Sequence, residues 1–157
     1  MTDPHIAATR YNLRESLREI RAAIDGLPGE ALNWRPAGDE TNSFAVLATH
    51  VLGSTRSWLC VALDKPLPER DRDSEFRASA GDTAELLAFI DRLSEECLSK
   101  LADEGLVDWA ASRKTHARPG NAPETVPAAW ALQHAMSHLR EHVAHLQLSR
   151  QLWDARQ

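Results

Sequence analysis

The sequence predicts an all-α fold of four helices in a chain of 157 residues. Apolar residues recur at helical spacing in four separate segments, and glycine and proline residues stand between those segments. Strand signals are weak throughout. A chain of this length fits a single domain, residues 1–157, with room for a real core. We therefore expect one helical domain.

The first predicted helix covers about residues 5–25, and the glycine and proline residues at positions 26–29 end it. Its apolar stripe consists of Ile6, Leu13, Leu17, Ile20 and Ile24. A loop rich in turn residues follows at positions 32–42. Ser43 or Asn42 can then cap a second helix that reaches about Leu63.

The third predicted helix covers about residues 83–103, and the last one runs from Pro127 to about Trp153. Between the second and third helices, the charged residues 69–77 are expected to form a solvated connection. The segment 106–126 is long and irregular, which is typical of a cover over a site or of a variable connection.

Composition limits the classes of partner. The formal net charge is −5, so the chain lacks the basic footprint of a nucleic-acid-binding protein. No apolar run is long enough to span a membrane, and no signal-peptide pattern opens the sequence, so we expect a cytoplasmic protein without a membrane partner. Cys60 and Cys97 lie far apart within helical patterns, and we expect both to be reduced and packed.

The last predicted helix carries four of the seven histidines, namely His134, His138, His142 and His145. Residues four apart lie on one face of a helix, so two of these imidazoles can hold a divalent metal if another element supplies a third ligand. His50 on the second helix offers that ligand. All five histidines flank the apolar stripe of their helix, from where an imidazole can point at a shared cavity.

Spacing alone leaves the ligand set open. His134 with His138 fits as well as His138 with His142, and His145 also fits. Any one of these histidines, taken alone, is best interpreted as a partly exposed residue at the border of the core. For His50, His138 and His142 together, metal binding is favoured. Three neutral nitrogens with an open position suit zinc first, and also nickel, iron or manganese.

Other metal sites fit the sequence less well. A dinuclear carboxylate site needs Glu-x-x-His pairs, and no glutamate stands three residues before His50, His138, His142 or His145.

Residues 138–142 read H-x-x-E-H, the arrangement of inverted zinc peptidases. Those enzymes take a further acidic ligand well downstream, whereas only fifteen residues follow His142. We interpret the match as chance, but Glu141 stays a candidate general base.

The chain resembles the DinB/YfiT-like metalloenzymes over most of its length. Residues 32–36, Leu-Asn-Trp-Arg-Pro, resemble the family's tryptophan-proline turn, and residues 42–50 with Trp58 resemble its first ligand helix. Residues 72–77 match a connection common in one branch. The last helix, with its histidines and Arg150, is similar to the closing signature.

The resemblance implies a fold, a ligand set and an activity. The fold is an up-and-down four-helix bundle, often a homodimer, with the metal near one end. The ligands are His50, His138 and His142, and His145 supports them. Relatives include S-transferases that use bacillithiol or mycothiol, and a mycothiol-dependent maleylpyruvate isomerase. The resemblance therefore implies an enzyme whose metal activates a low-molecular-weight thiol of the bacillithiol, mycothiol or glutathione type toward a small-molecule electrophile.

Two alternatives and several supporting roles stay open. A metal-bound hydroxide would give a hydrolase on the same scaffold, and a non-catalytic metal-containing protein of the stress response is the other alternative. Arg150 could meet an anionic thiol cofactor, whereas a surface role comes first for Arg140. Trp34, Trp58 and Trp130 could line the pocket, although aromatic residues at such spacings are more often part of a core.

Overall fold

A computed structural model describes residues 3–102, 105–116 and 122–156 of the chain. The helices in this part of the chain are α1 (Pro4–Ile24), α2 (Phe44–Ala62), the short α3 (Arg72–Glu75), α4 (Thr83–Lys100) and α5 (Ala128–Asp154). The fold is mostly helical, as predicted, and each long helix lies within a few residues of its predicted position. The predicted end of the third helix, Asp103, lies outside the described residues.

A small β-hairpin is the exception to the helical prediction. Strands β1 (Ser112–Lys114) and β2 (Thr125–Pro127) pair antiparallel, with Arg113 opposite Val126. Both strands lie in the segment that was predicted to be irregular, except that β2 ends at Pro127, which was predicted to begin the last helix. Residues 117–121 between the strands are outside the described part. Strands of three residues are too short to produce the alternating hydrophobic pattern by which a strand is found in a sequence.

Polar side chains begin the helices. Asp3 caps α1 by accepting from the backbone N–H groups of His5 and Ile6, and Ser43 caps α2 as predicted. Asp82 does the same for α4. These side chains satisfy backbone donors that have no partner within the helix, so local sequence fixes the starts of α1, α2 and α4. Helix α5 instead follows Pro127, which provides no side-chain cap.

Helices α2 and α5 run in opposite directions. His50, in the first half of α2, lies against His138 in the middle of α5, whereas Trp58 near the end of α2 contacts Trp130 near the start of α5. Since α2 makes its most extensive helix contacts with α5, these two helices form the main interface of the protein.

Helices α2 and α4, in contrast, run in the same direction. The hydroxyl of Thr83 at the start of α4 donates to the carbonyl of Leu27, just after α1. The backbone N–H of Ala45 at the start of α2 donates to the carbonyl of Leu32, a few residues further on. Both helices therefore begin at the end of the protein where α1 finishes.

The order of helix directions is accordingly up, down, down, up, and the predicted up-and-down order is wrong. Each long helix still packs against two others: α1 and α2 both contact α4 and α5. Because α2 and α4 are parallel, the chain that joins them is long. Because α2 ends at the opposite end of the protein from the start of α4, residues 63–82 must return along the length of α2, and α3 packs against it there.

The core lies between the four long helices. The largest fully buried side chains are Ile6, Leu13, Ile20, Ile24, Leu32, Phe44, Leu52, Leu59, Ile90, Leu101, Leu139 and Leu146. Cys60 and Cys97 are free thiols, both fully buried, as predicted. Among the described helices, none is both long and apolar enough to traverse a lipid bilayer. Helix α2 is buried on nearly all sides, so polar groups on it need partners inside the protein.

Candidate metal centre

Three histidine nitrogens converge at the interface between α2 and α5. The Nε2 atom of His138 lies 3.3 Å from Nε2 of His50 and 3.2 Å from Nε2 of His142. Two nitrogen ligands of one tetrahedral zinc ion lie about 3.3 Å apart, since each Zn–N bond is about 2.0–2.1 Å long. The donor set and its spacing therefore fit one divalent metal ion, and one ligand atom from each residue lies within 4.8 Å of the others.

The helix geometry explains why these three histidines meet. His138 and His142 are one turn apart on the face of α5 that borders α2, and both are half-buried. His50 comes from α2 and is almost fully buried, at 5% exposure. Of the alternatives that spacing left open, the structure brings together His138 with His142 rather than with His134.

The carboxylate of Glu75 holds the second ring nitrogen of His50. Nδ1 of His50 lies 3.0 Å from Oε2 of Glu75. An ionised carboxylate only accepts hydrogen bonds, so Nδ1 carries the proton and donates, and Nε2 presents its lone pair to the other two histidines. This is the carboxylate–histidine arrangement that orients the ligands of many metal sites.

Arg70 keeps Glu75 ionised and in place. Its Nε and Nη2 atoms donate to Oε1 and Oε2 of Glu75 at 2.7 and 2.8 Å. Burial alone would raise the pKa of Glu75, but the hydrogen bonds from His50 and Arg70 outweigh it and hold that pKa below its ordinary value. The prediction of a solvated connection at residues 69–77 is therefore wrong at Glu75, which is only 6% exposed.

Gly53 leaves the room that Glu75 occupies. A Cβ atom at position 53 would overlap Oε1 of Glu75 and lie 3.2 Å from its Cδ atom. Gly53 is three residues after His50, so it lies on the same face of α2. Neither Glu75 nor Gly53 was among the site residues predicted from the sequence. For Glu75 the only signal was the match of residues 72–77 to a family connection, and for Gly53 there was none.

His138 and His142 are neutral at physiological pH. Burial, and then the neighbouring imidazoles, lower the pKa of His138 to about 3. Burial, and the repulsion that His50 and His145 exert when they are protonated, likewise lower the pKa of His142 to about 4. Only a neutral imidazole has a lone pair to give to a metal. Both side chains can therefore bind a metal ion without first losing a proton.

A cavity of about 480 Å³ is lined by two of the three histidines, His50 and His138. Helices α2 and α5 contribute His50, Ser54, Trp58, His134 and His138 to its wall. The returning connection contributes Pro68 and residues 70–73, and the hairpin segment contributes Thr115 and His116. The segment after α4 thus covers part of the site, which was one of its two predicted roles. A cavity of this size accommodates a small organic molecule.

The family model described as the DinB superfamily matches residues 12–146. The chain belongs to the DinB superfamily. The matched range includes the three histidines together with Arg70, Glu75 and Gly53, so the whole candidate metal centre lies in the matched part of the chain. Among curated proteins, no sequence matches this chain.

The two remaining histidines of α5 lie next to the centre of this DinB-superfamily chain but outside the converging set. Nδ1 of His145 is 3.4 Å from Nδ1 of His142, at the exposed side of the helix. That position suits the supporting role implied by the resemblance. His134 stacks on Trp130 with ring centroids 4.9 Å apart, and its edge meets Trp58 at 4.5 Å.

Two further candidates lie elsewhere. Glu141 is exposed, and Arg150 donates to Asp154 and to the backbone carbonyls of Ala23 and Asp25. Neither residue is among those that line the cavity.

Arg140 donates to Ser16 and Glu19 on α1, in keeping with the surface role expected for it. Of the tryptophans, Trp58 lines the cavity, and Trp34 packs against Trp153 at 5.4 Å.

Proposed function

We propose that this protein is a metal-dependent enzyme that transfers a low-molecular-weight thiol of the bacillithiol, mycothiol or glutathione type to a small electrophile. The observation that carries the proposal is the position of the three Nε2 atoms, at ligand spacing and beside a cavity of small-molecule size. Membership of the DinB superfamily supports it. The scaffold is a four-helix bundle, supported by the mutual packing of α1, α2, α4 and α5.

A divalent metal, zinc first, would be held by His50, His138 and His142, and would supply a Lewis acid that lowers the pKa of a thiol or water. The three ligands are neutral, so they leave the positive charge of the ion uncompensated. On the cavity wall, the guanidinium of Arg72 can meet an anionic group of the thiol substrate, beside the carboxylates of Asp71 and Asp73 that line the same cavity. The residues of the site thus favour formation of a nucleophilic sulfur at neutral pH.

The reaction requires a bond from this sulfur to the electrophilic carbon of the second substrate. The proton of the thiol leaves to solvent, and the electron pair of the broken bond leaves with the displaced group. Trp58 and His134 give the cavity an aromatic side, and Ser54 and Thr115 give it hydroxyl groups that can orient a polar substrate. The sulfur must come from outside the chain, because both cysteines are buried.

The first test is metal content by plasma mass spectrometry for the parent, for His138→Ala and for His134→Ala. We expect about one metal per chain in the parent and in His134→Ala, and little in His138→Ala. The control is matched because both variants remove a half-buried histidine from the same face of α5. A parent without metal after reconstitution with zinc, nickel and manganese would refute the proposal.

The second test separates thiol transfer from the alternatives. The metal-loaded protein is given a chlorinated dinitrobenzene with glutathione, bacillithiol or mycothiol, and the thioether product is measured. Turnover that depends on both metal and thiol supports the proposal. Release of a hydrolysed product without thiol would indicate the hydrolase, and full metal loading without any turnover across an electrophile panel would indicate the non-catalytic stress-response protein.

A further inference from the structure

Behind His50, on the side away from the other two histidines, three residues that are not metal ligands pack together. They are Gly53 on α2, and Arg70 and Glu75 on the returning connection. Oε2 of Glu75 receives one hydrogen bond from Nδ1 of His50 and another from Arg70. Oε1 lies against α2, so close to residue 53 that a Cβ atom there would overlap it.

We propose that Glu75 is the positioning residue of the metal centre, and that Arg70 and Gly53 exist at these positions to hold and to admit its carboxylate. Glu75 fixes His50 in the tautomer whose Nε2 lone pair faces His138 and His142. The inference rests on the proposed metal site, but it does not depend on thiol chemistry.

Arg70 determines what the carboxylate can do. Its two parallel hydrogen bonds occupy both oxygens of Glu75 and fix the plane of the carboxylate. A carboxylate held in this way cannot rotate toward the metal position to become a fourth ligand. The positive charge of Arg70 also offsets the negative charge of Glu75, so that the pair is neutral as a unit in its buried position.

Gly53 determines how close the carboxylate comes to α2. Its lack of a side chain lets Oε1 touch the helix backbone, which brings Oε2 within hydrogen-bond distance of a histidine on the same helix. With alanine at this position, the carboxylate would have to withdraw, and the hydrogen bond to His50 would lengthen or break. A glycine in the middle of a helix is otherwise unfavourable relative to alanine.

A merely structural ion pair would have a different signature. If Arg70 and Glu75 only tied the connection to α2, their removal would change the melting temperature and leave metal affinity per folded molecule unchanged. A positioning role instead changes the metal affinity and the protonation pattern of His50. Loss of such an outer partner typically lowers metal affinity about 10- to 100-fold.

The experiment measures the zinc dissociation constant by chelator competition for Glu75→Gln, Glu75→Ala, Gly53→Ala and the double variant Gly53→Ala/Glu75→Ala. We expect Glu75→Gln and Gly53→Ala each to weaken zinc binding about tenfold or more. In the Glu75→Ala background, Gly53→Ala should have no further effect, because the carboxylate that it displaces is gone. Cobalt absorption spectra of the same proteins should show the altered ligand field.

Glu96→Gln is the matched control. Glu96 on α4 also pairs with an arginine, Arg56 of α2, at 2.7 Å, but no histidine is among its hydrogen-bond partners in the described part of the chain. We expect its zinc affinity to equal that of the parent. Circular dichroism melting of each metal-free variant shows whether the protein is folded before affinity is compared.

Long-range ¹⁵N NMR of the metal-free protein tests the tautomer directly. We expect the parent to show a protonated Nδ1 on His50, and Glu75→Gln and Gly53→Ala to show a mixture or the other tautomer. Zinc affinities within twofold of the parent, with an unchanged His50 tautomer, would overturn the inference. If the parent binds no metal at all, the proposed function fails, whereas the NMR result still decides whether Glu75 fixes the tautomer of His50.

Discussion

The Nε2 atoms of His50 and His138 face each other at 3.3 Å across the interface between α2 and α5. The two nitrogens are direct neighbours. The third nitrogen, Nε2 of His142, lies 3.2 Å from Nε2 of His138. Lone pairs crowded in this way repel one another unless a proton or a cation lies between them. A metal ion bound there would therefore link the two helices that make the most extensive helix contacts in the protein.

We accordingly expect zinc to stabilise the folded protein. A ligand that binds only the folded state at 100 times its dissociation constant contributes about 2.7 kcal/mol. The melting temperature should rise with zinc concentration and fall after chelation, as followed by circular dichroism. His50→Ala should melt at the same temperature with and without zinc. The same zinc-dependent rise in His50→Ala as in the parent would show that the ion stabilises the fold from another position.

The metal-free protein should lose stability as the pH falls below about 6.5. The pKa values of His138 and His142 in the folded state are about 3 and about 4, against an ordinary value of 6.5. Between these values the unfolded chain binds protons that the folded chain does not, so protonation favours unfolding. The contribution of the two neutral histidines is complete above pH 6.5 and is lost progressively toward pH 3 to 4.

Urea denaturation of the chelated protein at pH 7.5, 6.5, 5.5 and 4.5 measures this loss. The free energy of unfolding should be nearly constant across the first step and fall over the next two. The variant His138→Gln/His142→Gln should show a shallower decline, since it lacks the two groups that titrate. A stability that stays flat down to pH 4.5 in the parent would contradict the pKa values of both histidines.

Neither cysteine should react in the native protein. Burial raises the pKa of the Cys97 thiol to about 12 and also raises that of Cys60, so the reactive thiolate form is scarce at neutral pH. We expect almost no labelling by a disulfide-based thiol reagent at pH 7.5, and two thiols per chain in denaturant. Rapid labelling of one thiol under native conditions would show that a cysteine of the chain is available as a nucleophile.

The parts of the site that the sequence predicts are those fixed by local geometry. His138 and His142 share a face because they are one turn apart, and His50 lies at the border of its apolar stripe for the same reason. Glu75 could not be found in this way. It reaches His50 because α2 and α4 run parallel and the chain between them must return along α2, which is a property of tertiary packing.

The contrast between local helix geometry and tertiary packing also explains the other differences between prediction and structure. The four long helices follow from periodicity, and the cap of α2 follows from Ser43, whereas the order of helix directions depends on how distant segments pack. Gly53 gives no periodic signal because its role is defined by the side chain that lies against it. Arg150 is part of a local sequence signature, but its nearest partners belong to α1 and to its own helix.

Arg72 should contribute to the selectivity of the cavity for anionic thiols. Its guanidinium lies 4.8 Å from the centre of the Phe76 ring, and the residue lines the cavity beside His50 and His138. An exposed charge pair contributes at most about 1 kcal/mol, which corresponds to about a fivefold change in affinity. We expect Arg72→Ala to raise the KM for glutathione about fivefold and to leave the KM for uncharged 2-mercaptoethanol unchanged.

The matched control is Arg77→Ala, because Arg77 is an exposed arginine of the same connection that does not line the cavity. Its KM values for both thiols should equal those of the parent. Raising the salt concentration should reduce the difference between Arg72→Ala and the parent, since screening weakens an exposed charge interaction. An equal rise in KM for both thiols would mean that Arg72 shapes the cavity through packing on Phe76, and that its charge does not select the substrate.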